Sequence, residues 1–345
     1  MRVWTGSLPD VDVRDRNARL SLSPVVRARV DDRLTPSLHR DRYGSLASGY
    51  DIVDASEAEV AMFPRVFETA RTEEFLTFVR SAESNGLRTI VFSGHDLEPI
   101  MPSESVILLH PGPTRGAQPH ADVLAIPYLL TDRAKADEHR PDGDHPSVAF
   151  CGQGTTRRST RAGQAIARAA QHVSNRIRPR VVPPPLAGHV GLRSAALEGL
   201  RRHPTVEEHF VIRDQYRAGA SSDADRERTQ SEFDDNLRSS TYALCVRGTG
   251  NFSARFYEAL SFGRVPLFVN TNCVLPLEDL IDWRSRSVWI EANDVDKIGD
   301  RLVRAHPEVL NDPDRSAAEL RRLWESHLTS DGFFGHLPGV IRSLL

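Results

Sequence analysis

Between Gly248 and Glu258 the chain reads GTGNFSARFYE, a stretch whose residue types could hold an anion and a sugar together. Glycines two apart let backbone N–H groups approach a phosphate, and a helix start behind them adds partial positive charge. Ser253 stands where a helix N-cap would fall. Arg255 and Glu258 lie three apart, so on a helix they share a face. A guanidinium suits phosphate, and a carboxylate suits two ribose hydroxyls. The same two charges could instead form an intrahelical ion pair contributing a few tenths of a kcal/mol. Their companions Phe252, Phe256, Tyr257, Ala259, Leu260 and Phe262 describe a helix packed on most sides, where a charge is costly unless it pairs or meets a ligand. As a dinucleotide fingerprint the stretch is incomplete, because Ser253 occupies the third glycine position. Nucleotide binding and a tight βα turn both stay open on this pattern alone.

The surrounding elements must place these groups. Apolar runs at Val60–Pro64, Arg88–Phe92, Ser105–Leu109, Val123–Pro127, Ser147–Cys151, His209–Arg213, Tyr242–Val246 and Val288–Ile290 read as buried strands. Helical spacing is visible in Glu73–Ser84, Arg157–Val173, Ser231–Ser239, Val295–Arg304 and Ala317–His327. Strands alternating with helices predict parallel, doubly wound α/β sheets. The polar, proline-containing stretch TDRAKADEHRPDGDHP (131–146) interrupts the alternation and reads as an interdomain linker, and Gly219–Arg228 reads as a polar excursion. Residues 1–45 carry little pattern.

At 345 residues the chain has room for two domains. Hydrophobic residues make up 39% and charged ones 26%, with a formal net charge of -3, which gives no case for nucleic-acid binding. Three widely spaced cysteines fit neither a disulfide framework nor a metal motif, and a reducing cytoplasm is the expected compartment. No secretory h-region or membrane-spanning apolar run is evident, so a soluble protein is expected. His110, His120, His145 and His189 show no ligand spacing, and no metal site is expected.

From about Tyr242 to Glu291 the order of residues becomes specific. Ser253, Arg255, Glu258, Gly263, Val265, Pro266, Leu275, Pro276, Asp282 and Trp283 together resemble the exostosin family of glycosyltransferases. Weaker echoes are Glu57–Pro64, Phe92-Ser-Gly-His-Asp96, and Phe150-Cys-Gly152 followed by Arg157 and Arg158. The resemblance implies a GT-B fold, two Rossmann-like domains with parallel sheets facing a central cleft. Residues 1–135 would bind the acceptor, 136–146 would link, 147–325 would bind the nucleotide-sugar, and 326–345 would form a tail or helix returning to the first domain. It implies inverting transfer, without cofactor or metal, from a UDP-sugar to an oligosaccharide or glycoconjugate acceptor. Arg247 replaces a proline common in eukaryotic members, and the membrane anchor of Golgi members is missing, so a bacterial-type enzyme of surface-polysaccharide synthesis is expected.

Carried onto this chain, the resemblance makes Glu258 the ribose ligand. Arg255 then meets the diphosphate or orients Glu258, and Gly248, Gly250 and Ser253 present backbone donors to phosphate. Arg247, Arg157, Arg158 and Arg213 are further candidates for the departing diphosphate, and Asp279 for donor hydroxyls. Inversion needs a general base on the acceptor side at a strand's carboxyl end; Asp96 fits, with His95 as partner or substitute. An NAD-dependent oxidoreductase and a catalytically inactive GT-B carbohydrate- or nucleotide-binding subunit are the alternatives, and a homodimer stays open.

Overall fold

The computed structural model describes residues 1–6, 50–68, 72–134, 141, 143–154, 181–183, 188–213, 222–312 and 316–345. Arg157, Arg158 and the helix expected over 157–173 lie outside the described residues.

Two parallel sheets organise the chain. The first runs β2-β1-β3-β4-β5-β6, built from Arg2–Trp4 (β1), Asp51–Ile52 (β2), Val60–Val66 (β3), Thr89–Phe92 (β4), Val106–His110 (β5) and Asp122–Ala125 (β6). The second runs β11-β10-β9-β7-β8, from Ser147–Gln153 (β7), Glu207–Arg213 (β8), Tyr242–Cys245 (β9), Val265–Asn270 (β10) and Val288–Glu291 (β11). The continuous apolar runs become strands buried on both faces, as β4, β5 and β9 show along their whole length. In the second sheet β7 pairs with β8 on one side and β9 on the other. Chain direction across the sheet therefore reverses between β7 and β9, and a crevice opens beyond their carboxyl ends.

The described helices are Thr72–Ser84 (α1), His189–Arg201 (α2), Asp223–Arg238 (α3), Ala254–Ser261 (α4), Ile298–Asn311 (α5), Ala317–His327 (α6) and Ser330–Arg342 (α7). Two depart from the sequence reading. Most of the polar stretch expected as an excursion is the first turns of α3, started by Ser222, whose hydroxyl accepts from the Asp225 N–H at 3.1 Å. Its i,i+3 pairs Arg226–Asp223 and Arg228–Asp225 support a solvated helix face without apolar periodicity. Helix α2 had no distinct reading; its buried face is made by Val190, Leu192, Ala196, Leu197 and Leu200.

The sheets are joined by close backbone packing and by the carboxyl-terminal helices. The loop after β5 reaches the second domain: Arg115 N–H donates to Asn272 O and Val274 N–H to Pro113 O, both at 2.9 Å. Asn251 Nδ2 donates to Thr114 Oγ1 at 3.1 Å. Buried Glu98 shapes that loop by accepting from Thr114 N–H at 2.7 Å and Gln118 Nε2 at 2.9 Å. Burial pushes the His110 pKa down to about 4, so its neutral ring accepts from Gly112 N–H and donates to His95 O. Helix α6 packs on α4, while α7 lies on the first sheet, where Tyr50 Oη donates to Phe334 O at 3.0 Å and Arg342 pairs with Glu59 at 2.9 Å.

Gly250 marks the tightest point of this contact near the cleft. A Cβ there would stand 2.5 Å from Asp96 O and 2.8 Å from the Phe252 ring. Gly250→Ala should therefore cost roughly 1–3 kcal/mol of stability, seen as a lower melting temperature and a larger radius by solution scattering. An unchanged melt and radius would show that this contact does not hold the domains together.

Candidate active site

A cleft of about 700 Å3 lies beyond the carboxyl ends of β7 and β9, with Asp96 and Tyr128 reaching it from the first-domain side. Its floor is the switch point of the second sheet. Cys151, Gly152 and Gln153 come from β7, Val246 and Gly248 follow β9, and Ser253, Arg255 and Glu258 come from the start of α4.

Arg255 is fixed by three consecutive residues of β7. Its guanidinium lies 4.7 Å from the Phe150 ring centroid, and its Nη2 donates to Cys151 O at 2.6 Å. Gly152 has φ +152°, and a Cβ on it would sit 2.2 Å from Arg255 Nη2. The Phe-Cys-Gly sequence thus has a physical meaning: a face to stack on, a carbonyl to accept, and room for the guanidinium. Burial holds the Arg255 pKa below the usual arginine range.

A second arginine enters from α2, where sequence reasoning did not look. Arg193 lies four residues after His189, so both face the cleft. It donates to Gln153 O at 3.4 Å and Arg247 O at 3.0 Å. Burial first, and then the neighbouring charges of Arg255 and Arg247, push its pKa down to about 10, which leaves it cationic at neutral pH. Arg193 and Arg255 pair with no carboxylate within ion-pair distance among the described residues, and the Nε of each is buried without a hydrogen-bond partner. Their hydrogen-bond partners among the described residues are neutral carbonyls, which orient a guanidinium without cancelling its charge. Arg247 is buried at 3% exposure behind the same turn, with its Nη1 donating to Gly248 O and Thr249 O.

Glu258 does not form the intrahelical pair with Arg255 that the spacing allows. Its ion-pair partner is Arg133, at 3.5 Å from the segment after β6. Burial raises the Glu258 pKa, against the lowering influence of Arg133 and Arg255. Arg213 lines the cleft, but its charge is engaged by Glu232, and it also donates to Thr229 O at 3.2 Å.

Several expectations need correction. Gly248 offers no free donor, because its N–H binds Phe252 O at 2.9 Å. Gly250 serves the packing of the domains, as its contact with Asp96 O requires. Both glycines line the cleft, with the Gly248 N–H already engaged. Ser253 is at the N-cap of α4, yet its side chain makes no capping bond. Asp279 is exposed and is not among the residues that line the cleft. Asp96 is exposed and lines the cleft; His95 is exposed beside it and is not a lining residue. Among the described residues no group of three or more His, Cys, Asp or Glu is placed to hold a metal ion, and no helix is long and apolar enough to cross a membrane.

Residues 187–305, which carry α2, β8 to β11 and the cationic floor, match the Exostosin GT47 domain. On this match residues 187–305 are similar to the exostosin family of glycosyltransferases. It is 31% identical over 110 residues to Exostosin-1 of Drosophila melanogaster, a stretch covering 30% of this chain and 13% of that protein. It is 30% identical over 76 residues to the probable beta-1,4-xylosyltransferase IRX10L of Arabidopsis thaliana, covering 22% of this chain and 18% of that one. The chain therefore matches well under two thirds of the length of these relatives. Among solved structures, the spinosyn rhamnosyltransferase SpnG complexed with spinosyn aglycone aligns over 80% of this chain and 78% of its own, at 15% identity and a TM-score of 0.31. Two parallel-sheet α/β domains meet about a cleft, the arrangement that the sequence led one to expect.

Unneutralised guanidinium groups make a direct prediction. Inorganic pyrophosphate should raise the melting temperature of the protein, since ligand that binds only the folded state stabilises it. Gly152→Ala, which evicts Arg255 from its seat, and Arg193→Met should each lessen that rise at a fixed pyrophosphate concentration. Equal rises in all three proteins would remove both arginines from anion binding.

Proposed function

We propose that this cleft transfers a sugar with inversion from a nucleotide diphosphate sugar, most simply a UDP-sugar, to a hydroxyl of an oligosaccharide or glycoconjugate acceptor, in the synthesis of a surface polysaccharide or related glycan. The observation that carries the reading is the pair Arg193 and Arg255 at the switch point, held by neutral partners and open to an anion. Glu258, one helical turn beyond Arg255, supplies a carboxylate for the donor's ribose hydroxyls.

In the transfer, an acceptor oxygen attacks the anomeric carbon as the bond from that carbon to the diphosphate oxygen breaks. The bonding electrons leave with the nucleoside diphosphate, and its growing charge meets Arg193 and Arg255. Preorganised donors at developing charge are the largest common contribution to catalysis, about 10²–10³-fold for a single donor. These guanidinium groups also take the charge-neutralising role that a divalent ion could serve. The acceptor proton passes to Asp96, which enters the cleft from the opposite domain, with His95 adjacent in the chain.

The test is turnover and binding with a panel of UDP-, GDP- and dTDP-sugars. Glu258→Ala should weaken UDP binding by roughly 10–100-fold, the loss of hydrogen bonds to a charged group. Asp96→Asn should lower kcat by about 10²–10⁴-fold with donor affinity unchanged. Binding of UDP without transfer to any acceptor would favour a nucleotide-binding subunit, and no binding of any nucleotide would overturn the reading.

A further inference from the structure

The segment that leaves β6 reaches Glu258, a residue that lines the cleft. Arg133 Nε lies 3.1 and 3.2 Å from the two carboxylate oxygens of Asp234 on α3, and its Nη2 lies 3.5 Å from Glu258 on α4. The Arg133 and Glu258 side chains are 23% and 18% exposed, so this pairing is shielded from water far more than a surface ion pair. The segment is itself clamped. Arg238 donates to Arg133 O at 3.2 Å, and Gln230 Nε2 holds Asp234 Oδ1 at 3.0 Å. Asp132 pairs with Arg321 of α6, which also donates to Ser261 O at the end of α4, at 2.5 Å.

We infer that Arg133 is a positioning residue that keeps Glu258 ionised and oriented for a nucleotide ribose, an inference that rests on the proposed role of Glu258. The charges facing Glu258 decide the sign. Arg133 comes from the crossover segment, Asp234 from α3, and Arg255 from α4 itself. The thiols of Cys151 and Cys245, on β7 and β9, are pushed upward by burial and stay neutral. Arg255 Nη2 donates to Cys151 O, and among the described residues Arg133 is the ion-pair partner that holds the carboxylate from outside its own helix. Burial alone favours the protonated acid, which loses an acceptor for the ribose hydroxyls. An opposite charge at this range lowers a carboxylate pKa by about 1–3 pH units. Arg133 also ties the donor carboxylate to the first-domain side of the molecule, so the carboxylate is fully set only when the crossover segment is docked.

The experiment is UDP affinity against pH, from about pH 5 to 9, for the whole chain and for Arg133→Met and Arg133→Lys. In the unsubstituted protein, affinity should fall on the acid side as Glu258 gains a proton. In Arg133→Met the midpoint of that fall should move up by about one pH unit or more, with affinity reduced about 10-fold between the two midpoints and restored to near the original value at the alkaline end. Arg133→Lys should lie between the two. Affinity that is lowered equally at every pH would make Arg133 merely structural, and an unmoved profile would leave Glu258 independent of it; either result overturns the inference. If the unsubstituted protein fails to bind UDP at any pH, the proposed function fails with it, whereas binding with an unshifted Arg133→Met profile sinks this inference alone. A thermal melt of each variant at both pH extremes separates unfolding from titration.

Discussion

Buried positive charge held by neutral groups is the constraint on which this molecule is arranged. Arg193 and Arg255 are held at the end of β7 by carbonyl oxygens and an aromatic face, so they are placed without being neutralised. Withdrawing them from water costs free energy, and burial accordingly lowers the pKa of both. Such an arrangement persists only where the scaffold over-determines it. Here the scaffold is a parallel sheet whose chain direction reverses between β7 and β9, which leaves strand ends and a helix start around one crevice. The dipole of α4 adds to the same field.

That crevice becomes a cleft because a second domain covers it, and both backbone and side chains make the contacts between domains. Gly112 and Gly250 allow the approach: a Cβ on Gly112 would stand 2.8 Å from Asn251, as one on Gly250 would stand 2.5 Å from Asp96 O. The Tyr128 and Phe252 rings, one from each side, stack at 6.2 Å. Helices α6 and α7 complete the junction by packing on α4 and on the first sheet. The Arg133 bridge adds a polar link across the same boundary, where the charges have few waters to replace their partners.

Strands were legible in the sequence because buried parallel strands are unbroken apolar runs, and β4, β5 and β9 stand where those runs do. The three-residue β1 was not legible, since Arg-Val-Trp carries no period, although Val3 is fully buried between its neighbours. Of the site, Arg255 and Glu258 could be singled out because charges in an apolar helical frame need an explanation. Arg193 could not, because it is one of 44 Lys and Arg residues and its meaning depends on the fold bringing α2 to β7. A hint lay in its spacing from His189 on one helical face. The glycine pair misled for a physical reason: a glycine admits close approach by any backbone, and at Gly250 the visitor is Asp96 O rather than a phosphate. Asp279 misled because an acidic residue after a Leu-Pro turn is as readily a solvated side chain.

The family pattern divides between the two faces of α4, and this explains why it extends so far beyond the cleft. Arg255 and Glu258 face the cleft. On the other side Phe256 packs edge-on against Trp283 at 5.3 Å, and Trp283 Nε1 donates to Pro276 O at 2.8 Å. Gly263 turns the chain at φ +64° and leaves no room for a Cβ against Ala317 O, which brings α6 onto α4. Buried Arg264 then donates to Leu237 O and Arg238 O, closing the carboxyl end of α3 beside the Asp234 that holds Arg133. With eight residues, α4 is well below the roughly 12–15 at which a helix is even marginally stable alone. Its orientation is therefore set by what it packs against. Leu275, Pro276 and Trp283 never reach the cleft, yet they fix the direction in which Arg255 and Glu258 point, and a sequence pattern confined to the charged residues would describe a site with nothing to hold it in place.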